Sequence, residues 1–127
     1  MVMSFIEFQA GNPDNALINA HDALQQFNEM GTRYYSALTH HLITMIHMES
    51  GDLLAAEYHA CNAARIHSEI EDWLNYVEAT ILLGDIYEAQ ENFDAAITTW
   101  QIGYERSITT KNPKATQLLE RIHKRQK

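Results

Sequence analysis

A chain of 127 residues with a net charge of −8, 46% apolar side chains and a single cysteine has the size for one domain with its own core and cannot rest on a disulfide framework. The charge is lopsided: up to Glu105 only Arg33 and Arg65 oppose sixteen acidic residues, a balance of −14, whereas from Arg106 onward seven basic residues face Glu120 alone, a balance of +6. An acidic body repels phosphate backbones, no apolar run approaches the ~20 residues that span a bilayer, and Met1 to Ala10 lacks the basic start and apolar core of a secretion signal, so the expectation is a cytoplasmic protein with neither nucleic acid nor membrane as partner.

Along the chain, good helix N-cap residues recur every twenty positions: Asn12, Thr32, Asp52, Asp72, Asn92 and Asn112. They predict helices over 13–29, 33–50, 53–69, 73–90, 93–109 and 113–125, joined by short turns that make neighbours antiparallel. Pro13 and Pro113 take the first helical position, where a missing N–H costs nothing. Before Asn12 there is room only for a short helix near 5–10, with Ser4 and Glu7 spaced as a capping box. The first hairpin is then incomplete, as in a native half-unit or a piece of a longer array. Gly11, Gly31 and Gly51 fall at helix ends, where left-handed geometry is the usual role of glycine.

Small residues repeat at twice that spacing. Ala16, Ala56 and Ala96 are forty apart, as are Ala23, Ala63 and Gly103, and as are Ser4, Thr44 and Gly84; Ile6, Ile46 and Ile86 keep the same step. The pattern is densest from Thr80 to Tyr104. There Leu83, Gly84 and Tyr87 share one helical face and Phe93, Ala96 and Trp100 another, so that Gly84 and Ala96 admit close approach while Tyr87, Phe93 and Trp100 fill the spaces beside them. Cys61, in a helical setting, is expected to be a small buried residue rather than a reactive thiol.

These positions resemble the tetratricopeptide repeat. The match is closest at Leu83, Gly84, Tyr87, Phe93, Ala96, Trp100 and Gly103, and looser at Ile43, Thr44, His47, Leu53, Ala56, Ala60 and Ala63. Asn12 to Ala23, with Pro13, Ala16 and Ala20, looks like the second half of an earlier unit. The period is 40 rather than 34, similar to long-helix repeats in sensor regions of bacterial transcriptional regulators; HEAT and armadillo repeats have a comparable length but fit the spacing less well. The resemblance implies an all-α fold of antiparallel helix-turn-helix repeats stacked as a right-handed superhelix. It divides 1–127 into a half unit (1–30), two units (31–70 and 71–110) and a capping helix (112–127) in a single domain.

The resemblance also implies function: a non-catalytic interaction module whose first helices line a concave surface for a partner protein or peptide. The positions carried over are Phe5, Phe8, Leu38, His41, Met45, Met48, Glu78, Ile81, Asp85 and Glu88, apolar at the N-terminal end and acidic in the middle. Exposed Phe and Met suit an adaptable apolar surface. The same side chains could instead close the core or bury against a second copy in a homodimer, and Asp85 and Glu88 could pair with Arg121 and Arg125. With His41, Met45, Ile81 and Asp85 where Lys, Arg and Asn would be needed, a clamp for a terminal carboxylate is not expected. A sensor fragment of a larger regulator is the other functional alternative.

No metal or other cofactor is expected. His40 and His47 are seven apart and His59 and His67 eight, ~10–12 Å along a helix, and Cys61 lacks a Cys-x-x-Cys partner. No nucleophile with a base, glycine-rich phosphate loop or facing carboxylate pair appears, and Glu69, Glu71 and Asp72 read as a solvated turn. The basic stretch Arg121 to Lys127 lacks interleaved aromatics and suits the end of a terminal helix.

Overall fold

The computed structural model describes residues 13–126. Six α-helices cover 87% of them, and no strand occurs among the described residues, so the chain is all-α. The helices are α1 (Pro13–Met30), α2 (Arg33–Ser50), α3 (Leu53–Glu69), α4 (Trp73–Ala89), α5 (Phe93–Thr109) and α6 (Ala115–Gln126). The first five start where the cap spacing places them. The sixth does not, because Asn112 is buried and its Oδ1 accepts from the Lys114 N–H at 2.9 Å, two residues on rather than three. That local turn keeps Pro113 outside the helix.

One backbone turn is used five times among the described residues. Gly31, Gly51, Glu71, Glu91 and Lys111 all adopt left-handed geometry, at φ 71°, 82°, 58°, 62° and 55°. Behind each, the next residue's N–H reaches five residues back: Thr32 to Phe27, Asp52 to His47, Asp72 to His67, Asn92 to Tyr87 and Asn112 to Ser107, at 2.8–3.0 Å. This is the Schellman closure. The residue completing it also starts the following helix: Asp52 Oδ1 accepts from Ala55 N at 3.2 Å, Asp72 from Asn75 N and Asn92 from Ala95 N at 3.3 Å. Thr32 departs from this, because its hydroxyl donates backward to the Phe27 carbonyl at 3.2 Å and leaves the next helix without a side-chain cap.

The chain divides into two compact units between Ile66 and His67. In the N-terminal unit, Ala16, Ala20 and Leu24 of α1 pack on Leu42, Ile43 and Ile46 of α2, with Leu17 and Met45 at the edge. In the C-terminal unit the core is built around Trp100, fully buried among Val77, Ile81, Ala96, Leu118 and Ile122, with Tyr87 and Tyr104 flanking. The glycines are where the helices touch. A methyl at Gly84 would overlap the Trp100 ring, and one at Gly103 would overlap the Thr80 hydroxyl. Phe93, expected beside them, instead sits exposed at the rim under the Arg125 guanidinium, 4.2 Å from the ring centroid.

Candidate functional site

The residues singled out as a binding face fall into three groups. Phe5 and Phe8 lie outside the described residues. Leu38, His41, Met45 and Met48 follow one another at i, i+3, i+7 and i+10 along α2, each half-buried. Of these, Met45 packs on the N-terminal core. Glu78, Ile81, Asp85 and Glu88 stand on α4 in the C-terminal unit, where Ile81 is only 7% exposed and belongs to the core.

The three α4 carboxylates already have partners on the C-terminal side of the same unit. Glu78 pairs with Lys114, and Glu88 accepts from Arg125 Nε at 2.7 Å. Asp85 accepts from Arg121 Nε at 2.8 Å and Nη2 at 3.1 Å, a two-pronged pair. The hydrogen bond to Asp85 is the main cause that raises the Arg121 pKa, opposed by partial burial and assisted by the charges of Asp85, Glu88 and Glu120. The acidic middle and basic end seen in the sequence are thus, within this unit, one set of contacts between α4 and α6 or the turn before it.

A second surface went unnoticed in the sequence. Leu54 and Tyr58 are 78% and 64% exposed, and with Cys61 they form an i, i+4, i+7 stripe on α3. Cys61 is therefore exposed, contrary to the expectation of burial. The signal was available: Ala56, Ala60 and Ala63 occupy the buried face of that helix, which turns Leu54, Tyr58 and Cys61 outward. Leu54, Glu57, Tyr58, Cys61, Asn62 and Arg65 line a shallow depression there.

The histidines form a third feature, in the N-terminal unit. His21 comes from α1, His40 and His47 from α2, and His59 from α3. Nδ1 of His40 lies 2.9 Å from Nδ1 of His59, so one ring donates a proton and the other accepts. The His59 ring also meets His21 edge-on at 5.6 Å and stacks on His47 at 5.8 Å and 15°. Burial lowers the pKa of His40 and of His59 to about 4. Arg65 and His21 reinforce the shift for His40, and His40, His21 and His47 for His59. Both are therefore neutral at pH 7. Separations along one helix had spoken against any histidine cluster, but this one is assembled across three helices, which no single-helix spacing can show.

The fold class and the site geometry define an all-helical protein of repeated hairpins. No protein-family model matches the chain, and no curated protein does either.

Proposed function

We propose that the chain is a tetratricopeptide-like interaction module that holds an apolar segment of a partner protein along the α2 face formed by Leu38, His41, Met45 and Met48. The observation that carries this reading is the contrast between that face and its counterpart. On α4 the carboxylates at the same repeat positions are engaged by Lys114, Arg121 and Arg125, whereas on α2 the aligned side chains are apolar and half open. An aligned Leu and Met stripe suits a helix or extended segment with apolar anchors at matching intervals. The module works by recognition, as an adaptor, without chemistry of its own.

Met48 is the residue to change, since Met45 also supports the core. Peptides selected from a random display library on the full chain are expected to carry apolar anchors and to bind Met48→Glu at least ~10-fold more weakly, with the melting temperature nearly unchanged. Equal binding by Met48→Glu would remove the reading.

The exposed stripe on α3 favours a second reading, self-association through Leu54 and Tyr58. Light scattering at low and high salt decides it. A dimer that persists at high salt and is lost in Tyr58→Glu supports this reading, and a monomer at both salts removes it.

A further inference from the structure

We propose that His21, His47 and His59 form a binding site for one divalent late first-row transition-metal ion, zinc or a neighbour of it, that ties α1, α2 and α3 together. Each histidine offers one ring nitrogen, and the three nitrogens lie within 4.8 Å of one another. A four-coordinate ion with ~2.0–2.1 Å bonds to imidazole holds its ligand nitrogens ~3.4 Å apart, so closing the site takes side-chain movements of ~1 Å. The residue with most freedom to make that movement is His21, which is exposed, while His59 is buried and His47 half-buried. Imidazole-only donors suit zinc, nickel, cobalt and copper and do not suit magnesium or calcium.

What surrounds the three rings fits ligation as well. His59 can give one nitrogen to an ion while the other keeps its 2.9 Å contact with His40 Nδ1, which fixes the ring's orientation. The Asp52 carboxylate lies 4.0 Å from His47 Nδ1, near enough to settle behind that ring when a metal polarises it. Burial holds His59 in the neutral form that a metal requires. Exposure on the His21 side leaves a coordination position for water. The inference stands apart from the peptide-binding reading, since it uses neither Met48 nor Leu38.

The test is calorimetric titration of the untagged full chain with Zn2+ and optical titration with Co2+ at pH 7.5. The expected result is one ion per chain and the intense visible bands of four-coordinate Co2+. His21→Gln, on an exposed position that leaves the core intact, is expected to weaken Zn2+ at least ~100-fold, since even partners behind a ligand are worth 10- to 100-fold. His123→Gln, exposed on α6, is the control and is expected to bind as the wild type does. Failure of the wild type to bind Zn2+ at micromolar concentration, or equal binding by His21→Gln and the wild type, overturns the site. Circular dichroism of each variant keeps loss of fold separate from loss of ligand.

Discussion

The two units share one backbone scheme and fill it differently. In the C-terminal unit Gly84 on α4 lets the Trp100 ring come in from α5, and Gly103 on α5 makes room for Thr80. Forty residues earlier the corresponding positions are Thr44, Ala60, Ala63 and His40. The pairing of Trp with Gly is replaced by Ala with Thr, and the N-terminal unit carries the imidazoles of His40, His47 and His59 where the C-terminal unit has Thr80, Tyr87 and Thr99. A helical repeat can therefore keep its period while exchanging an aromatic plug for a polar cluster, because total volume, not residue identity, is what the interhelical gap constrains.

The largest way to break that comparison is Trp100→Ala. It leaves a cavity bounded by Val77, Ile81, Ala96, Leu118 and Ile122 and is expected to cost ~3–5 kcal/mol, measured by urea unfolding. No residue of the N-terminal core is as large, so Ile43→Ala there is expected to cost ~2–5 kcal/mol and to fall toward the lower end. A loss at Trp100 no greater than at Ile43 would show that the aromatic plug is not the centre of its unit.

Acid is expected to weaken the N-terminal unit through its histidine cluster. His40 and His59 are neutral in the folded state down to about pH 4 but take up protons near 6.5 when unfolded. Their folded pKa values are depressed, so the stability they contribute is fully present above ~6.5 and is lost as pH falls toward ~4. His21, His47 and Arg65 face the pair and add repulsion, with Asp52 the nearby carboxylate to His47. With metal chelated, denaturant midpoints are expected to fall over that window, and the fall is expected to shrink in His40→Gln. A flat midpoint from pH 6.5 to 4.5 would refute this.

The turns give the smallest and most uniform effect. Glu91→Gly and Lys111→Gly, both at left-handed φ, are expected to stabilise by a few tenths to ~1 kcal/mol, while Gly51→Ala, which meets no atom within 4 Å, is expected to cost about the same. Thermal melts of the three variants check the signs. Opposite signs would mean that side-chain contacts, not φ, set the cost at these positions.

The helices were legible in the sequence because their signals are local. Asp52, Asp72 and Asn92 cap within three residues, and Ala16, Ala56, Ala96 and Gly84 mark contacts through size alone. Non-glycine residues at left-handed φ were not, since nothing in Glu71, Glu91 or Lys111 announces it; only their twenty-residue phase with Gly31 and Gly51 does. The pairing of Asp85 and Glu88 with Arg121 and Arg125 was one of two readings of the charge pattern, and thirty-six or thirty-seven residues separate those partners. The histidine cluster was invisible for the same reason: its members are brought together by the packing of three helices, and sequence spacing carries no record of that distance.

The doubled use of the turn residues has an evolutionary corollary. Because the residue that closes one helix also opens the next, at Asp52, Asp72 and Asn92, stop and start cannot drift independently. Loss of a single residue of α4 after Gly84 would rotate everything beyond it by ~100° about the helix axis and carry Trp100 away from Gly84. Within the helices, insertions and deletions are expected to be tolerated best as whole hairpins of forty residues. A gene built this way is expected to lengthen or shorten by duplication and excision of hairpins, and a comparison of such chains should find their length differences clustered at multiples of forty residues.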